Sequence, residues 1–333
     1  MIRNIIHLWI RNFYNSLINK KEGERRMKKQ KNGHLKRDLI KYRQLLLMMI
    51  PALIFFAVFA YGPMYGVVLA FKDFKISEGI LGSPWAGLKY FKKAFEDPYF
   101  LKTIQNTLII SIGKLLFGFP LPVLFAIFLN EMRGYHFKKL VQTVSYLPYF
   151  MSWVILGSIF FSLLSLDGPV NNLLAELGLN KIMFMGKSGV FRKVLVTTDI
   201  WKNFGWGSVL YIAAISGIDQ EMYEAAKVDG ANRFHNIIYI TIPSILPVIC
   251  INLILNLSGI LNAGFDQVFN MYSETVYDVA DIIDTYVYRL GLKNLQYSLS
   301  TAVGLFKSGI GLLLVVVVNF TVRKIGGKEN ALW

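Results

Sequence analysis

Residues 224–243 read EAAKVDGANRFHNIIYITIP. They hold two acids (Glu224, Asp229), two bases (Lys227, Arg233), one glycine (Gly230) and a closing proline (Pro243). The chain on either side is strongly apolar, over Val194–Ile215 and over Ile245–Leu261. Just upstream, Asp219 is a residue type that caps helix N-termini. Glu221, Glu224 and Lys227 give the following helix its polar positions, and acids in its first turns suit the positive end of the helix dipole. Gly230 ends that helix, because glycine reaches left-handed φ/ψ without steric penalty. A second helix runs from Ala231 with Phe234, Ile237 and Ile238 on one face, and Pro243 restarts the chain into the next apolar run. The stretch therefore reads as a helix–turn–helix knob at a membrane surface, between two spans. Small residues at its centre admit close approach of a partner, and Glu224 offers that partner's base a carboxylate.

Working outward, the same apolar texture recurs. Of 333 residues 54% are hydrophobic and 17% charged, a balance that soluble domains rarely show. A spanning helix needs about 20 mostly apolar residues. Six runs qualify: Leu45–Leu69, Thr107–Leu129, Leu140–Ser165, Val194–Ile215, Ile245–Leu261 and Ser298–Phe320. The fourth is the weakest, with Asp199, Lys202 and Asn203 inside it. The fifth is short unless Ile242 and Pro243 lie at the interface. The expected fold is an all-α polytopic membrane protein of about six transmembrane helices, with the knob between spans four and five.

The net charge of +15 is concentrated at one end. The first 44 residues contain 13 Lys/Arg against three acids, which places the N-terminus in the cytoplasm. Six spans return the C-terminus (Arg323, Lys324, Lys328) to the same side. A basic excess beside a span sets topology and attracts anionic lipid, so it does not argue for nucleic acid. Within residues 1–44, Ile2–Ile18 has apolar positions at helical spacing, read either as an amphipathic helix on the inner membrane surface or as an extension ahead of Met27. A basic linker follows. The first span is longer than a signal-peptide core and has no small-residue cleavage site after it.

Several motifs of other chemistries are weak or incomplete. The lone cysteine, Cys250, sits in span five and makes no disulfide within the chain. His7, His34, His136 and His235 lack metal-ligand spacing, so no metal site is expected, and all four are expected on the cytoplasmic side outside the spans, so no Ser-His-Asp set is suggested. MGKS (185–188) has the end of a phosphate loop, yet Lys181 stands where the first glycine belongs and no strand precedes it. Any ATP chemistry must come from another chain. Pro148 inside the third run predicts a kink. Asp97-Pro98 marks a helix start, and loop 263–297 is acidic (Asp266, Glu274, Asp278, Asp281, Asp284).

The knob carries a specific likeness. Glu224, Ala225, Ala226, Gly230, Ile240, Ile242 and Pro243 match EAA-x3-G-x9-I-x-[LI]-P, which resembles the signature of the integral membrane subunits of bacterial ATP-binding-cassette importers. Only Ile242 departs, where that family more often has Leu. The similarity runs upstream through WKNFGWGSVLYIAAISGID (201–219) and covers residues 45–325 as a permease domain, leaving 1–44 and a short tail at 326–333. LPYFMSWVILGSIFF (147–161) and DGPVNNLLAELGL (167–179) are similar to the sugar-importer branch, particularly permeases for aldouronates and other polysaccharide fragments. The resemblance implies a bacterial plasma-membrane permease without catalytic residues or bound cofactor. It implies a second permease, two copies of a cytoplasmic ATPase that uses ATP and Mg, an extracellular substrate-binding protein and a carbohydrate substrate. It also implies that loop 219–243 couples to the ATPase through Glu221, Glu224, Ala225, Ala226, Asp229, Gly230, Arg233, Ile240 and Pro243.

Polar groups within a membrane are functional candidates by default. Asp199 and Lys202, spaced i,i+3, are expected to neutralise each other. Sugars bind amides and aromatic faces, so Trp201, Asn203, Trp206, Asn252 and Asn256 are candidates for a substrate path. The asparagines serve equally well as interhelical hydrogen bonds. Lys307 sits mid-span, facing either a partner chain or a substrate carboxylate. Two other classes compete. An ion-coupled secondary transporter needs no charged knob and often shows inverted repeats, none of which is visible. A membrane enzyme would draw on the acids of loop 263–297, which lack a metal-type motif.

Overall fold

The computed structural model describes residues 41–326. The expected amphipathic segment Ile2–Ile18, nearly all of the linker and residues 327–333 lie outside that range. Among the described residues there is helix and no strand, only an isolated bridge between Lys72 and Trp85. Five helices are long and apolar enough to cross a membrane: Arg43–Phe71, Pro98–Glu131, Trp153–Glu176, Arg233–Ser258 and Tyr297–Lys324.

The chain divides into two compact units, one ending at Gly66 and one starting at Val67. The first holds most of helix α1 (Arg43–Phe71), which is apolar on every side and absorbs Pro51 and Pro63 with a π-turn between them at Ala57–Tyr61. In the second unit short α2 spans Lys89–Glu96. There Tyr90 and then Lys89, hydrogen-bonded to Asp73, hold the Asp73 carboxyl below its ordinary range. Asp97 caps α3 (Pro98–Gly118), accepting from the Tyr99 amide at 2.9 Å, and α4 (Pro120–Glu131) continues it.

The third apolar run does more than kink. It breaks into α5 (Tyr135–Tyr146), a 3₁₀ turn over Leu147–Phe150 and α6 (Trp153–Leu164), with Met151 and Ser152 extended between them. Ser152 caps the new helix by accepting from the Ile155 amide. A break of this kind exposes carbonyls that no helix satisfies. Lys202 meets them, donating to the carbonyls of Pro148 (3.3 Å), Tyr149 (2.7 Å) and Met151 (2.6 Å). Its expected pairing with Asp199 is therefore replaced: Asp199 pairs with Lys114 at 3.0 Å instead. The i,i+3 spacing put the two on adjacent positions, but each side chain reaches a different neighbouring helix.

Short α7 (Pro169–Glu176) leads to α8 (Ser188–Ser216), 29 residues that contain the fourth predicted run. It is not among the five apolar spans, because it carries Arg192, Lys193, Asp199 and Lys202. At about 1.5 Å per residue it is still long enough to cross. The helix packs against α3, α4, α5 and later helices through a buried stripe (Phe191, Leu195, Thr198, Lys202, Gly205, Ser208), and its inner charges Asp199 and Lys202 find partners there. At Gly205 an added Cβ would lie 2.0 Å from the Ser145 carbonyl oxygen, so the two backbones touch.

After α9 (Gln220–Val228), α10 runs unbroken from Arg233 to Ser258, 26 residues. Pro243 does not restart the chain. A π-turn at Ile237–Thr241 shifts the hydrogen-bond register just before it, which lets the helix carry the proline. This also explains why the fifth run looked short. Helix α11 (Phe265–Met271), α12 (Ile283–Tyr288) and α13 (Tyr297–Gly326) complete the unit. Buried Asp281 pins the segment before α12, receiving hydrogen bonds from Tyr99, Thr285 and Arg289.

Candidate functional site

The knob is built as its residues dictate. Asp219 caps α9 by accepting from the Glu221 amide at 3.0 Å. Gly230 has φ +79°, and the turn closes through Ala231 N–H to Ala226 O (2.9 Å) and Gly230 N–H to Lys227 O (3.2 Å), the paired bonds of a Schellman stop. Asn232 then caps the start of α10, accepting from the His235 amide at 2.9 Å. Glu221, Glu224, Ala225, Asp229, Gly230, Arg233 and Pro243 are exposed, and Ala226 is half-buried. Ile240 is buried, so its part is packing beneath the knob. Met222, Val228, Phe234 and Tyr239 also stand exposed on the knob, with Tyr239 stacked on His235. The Tyr223 hydroxyl lies 2.9 Å from Thr241 Oγ1 and ties α9 to the π-turn of α10.

Further along, α3, α8 and α10 enclose a cavity of about 400 Å³. Its wall includes Asn203, Asn252, Asn256 and Asn262, together with Tyr211 and the Lys114–Asp199 pair. Asn252 donates to the Tyr211 hydroxyl at 2.6 Å, and Asn256 donates to the Asn252 carbonyl at 2.8 Å. The three predicted asparagines are thus brought together. The two tryptophans are not. Trp201 lies against Phe160 at a separate apolar recess, and Trp206 stacks on Tyr149 with ring centroids 4.9 Å apart. Both indoles leave the cavity face of α8.

Lys114 escaped the sequence reading. Its ammonium donates to Asp199 (3.0 Å), to the Ala263 carbonyl (2.7 Å) and to Gln267, joining α3, α8 and the start of α11. Gln267 is buried and in turn donates to Leu195 O and Thr198 Oγ1. The signal was present: Lys114 is the one charge in the run Thr107–Leu129. Lys307, left open between two readings, pairs with Asp284 at 2.5 Å and lines a second cavity of about 320 Å³ that shares Asn262 with the first.

Residues 118–326 match the family described as binding-protein-dependent transport system inner membrane component. The chain belongs to this family. Within it, this permease is 45% identical over 300 residues to the polygalacturonan/rhamnogalacturonan transport system permease protein YteP of Bacillus subtilis, covering 90% of the chain and 94% of that protein. It is 44% identical over 291 residues to protein LplB of the same organism, covering 87% and 90%. Its fold matches a chain from the crystal structure of a bacterial ABC transporter involved in the import of the acidic polysaccharide alginate. That match has TM-score 0.81 and 39% identity over 88% of this permease and 99% of that chain. The matched region of the family takes in α8, the knob and α10, and so the knob together with the α8 and α10 sides of the cavity wall.

Proposed function

We propose that this permease is one of two different membrane subunits of an ATP-binding-cassette importer for oligosaccharides, and that its cargo is a carboxylate-bearing polysaccharide fragment. One observation carries the reading. A single helix, α10, begins inside the exposed knob and ends with Asn252 and Asn256 on the cavity wall. Displacement of the knob is thereby transmitted along one continuous helix to the amides of the path. The exposed apolar face of the knob fits a cytoplasmic ATPase subunit, which binds ATP and Mg, while this chain supplies neither. An external binding protein delivers the sugar, and both termini lie in the cytoplasm. The acidic character of the cargo is drawn from the polygalacturonan and alginate systems to which the chain is similar.

An ATPase shifts the inward–outward balance only through contacts that differ between the two states. Replacing Gly230 by valine removes the turn's geometry without a clash, because a Cβ there meets nothing within 4 Å. The variant is expected in the membrane at normal levels, with ATP-dependent uptake reduced about tenfold or more, since bulky residues pay at least 1–2 kcal/mol in the left-handed region. Asparagine, which tolerates that region, is expected to keep most uptake. Normal uptake by Gly230→Val, or uptake in liposomes without ATP, would refute the coupling role.

A further inference from the structure

Lys114, Lys202 and Lys307 all lie inside the helical bundle, and their hydrogen bonds set them apart. An ammonium group has three N–H donors. Lys114 places its donors on three acceptors, and Lys202 does the same with three carbonyls. Both are structural ties with nothing left to offer a ligand. Among the described residues Lys307 meets a single acceptor, Asp284 Oδ1. Its two remaining donors belong to a half-buried side chain on a cavity wall.

That wall is shaped for a ligand. Gly304, Lys307, Ser308 and Gly311 follow one another on one face of α13 at i, i+3, i+4 and i+7. A Cβ at Gly304 would meet nothing within 4 Å, so the missing side chain leaves open space beside the ammonium. Asn262 lines both cavities, so the two are neighbours on either side of that residue. A cation in a membrane-spanning helix is costly unless neutralised, and one acid achieves that without satisfying the donors. We infer that Lys307 is the residue of this permease that selects a carboxylate-bearing sugar, with Asp284 holding its ammonium in place. Asp284 has a second effect. It offsets part of the attraction between Lys307 and an arriving carboxylate, so the site binds firmly enough to select and weakly enough to release, as a translocation path requires.

The inference rests on the proposed acidic cargo, and the test separates the two. The complete importer, with partner permease, ATPase and binding protein, is reconstituted in liposomes. Uptake is measured for galacturonate oligomers and for the same oligomers with carboxyls reduced to alcohols. In Lys307→Gln the acidic-to-neutral preference is expected to fall about tenfold, the size of one charge-assisted hydrogen bond, and Lys307→Arg is expected to keep it. An unchanged preference in Lys307→Gln overturns the inference while leaving the acidic cargo intact. A wild-type importer that carries only the neutral oligomers overturns the acidic reading and this inference with it. If Lys307→Gln fails to assemble, Asp284→Asn decides: a KM lowered for the acidic relative to the neutral oligomer supports the assignment, and an unchanged KM ratio overturns it.

Discussion

Gly205 and Gly230 show two different reasons for a glycine. Gly230 is required by its own backbone, at φ +79° in open space, and that is why it was readable from the local pattern of a helix stop. Gly205 has an ordinary helical backbone and is required by a neighbour: its position 2.0 Å from Ser145 O exists only once α8 crosses α5. Nothing in the sequence around residue 205 announces it. Small residues at such crossings allow the close backbone approach on which membrane helix packing depends. Gly205→Ala is expected to force the helices apart and lower stability by about 3 kcal/mol, the upper range for overpacking. Thermal unfolding of the detergent-solubilised protein measures this. A Tm equal to wild type would mean that α5 moves freely against α8.

Among the elements, spans that face lipid were the easiest to read, and α8 and the broken third run were the hardest. Composition identifies a helix by the cost of exposing polar groups to hydrocarbon. A helix that turns charges toward neighbouring helices escapes that constraint on that side, which is why α8 carries Asp199 and Lys202 and is not among the five apolar spans. Pro148 marked an irregularity, but the extent of the break depends on Lys202, 54 residues away, which no local pattern connects to it. Lys202→Met leaves the carbonyls of Tyr149 and Met151 without that donor, while Pro148 keeps the Met151 amide at 3.2 Å. Each buried carbonyl left unsatisfied costs about 1–3 kcal/mol, less whatever water restores. The variant is expected to lose several degrees of Tm and to become sensitive to proteolysis between residues 147 and 152, read by limited digestion and mass spectrometry. Unchanged digestion would show that the break holds without its lysine.

For the whole molecule, the membrane class, the helical architecture and the knob were legible, because each depends on local composition or on a capping pattern. The cavity was legible only in part. Asn203, Asn252 and Asn256 converge, but Trp201 and Trp206 were grouped with them by proximity in sequence, where helical rotation separates them. The connection from knob to cavity was hidden by Pro243, which reads as a chain break until the π-turn is seen. That connection makes a claim about energy transfer. Knob and span are joined through the Gly230 turn and through the Tyr223–Thr241 hydrogen bond. A net hydrogen bond contributes about 1 kcal/mol, enough to change a conformational balance about fivefold. Tyr223→Phe keeps the ring and removes only the hydroxyl. The complex should still assemble, since the exposed face of the knob is untouched, but α9 should then move with less effect on α10. The expected outcome is sugar uptake per ATP hydrolysed falling severalfold, measured on one proteoliposome preparation. If uptake and hydrolysis fall together, Tyr223 acts on ATPase docking; if neither changes, the Gly230 turn alone transmits the motion.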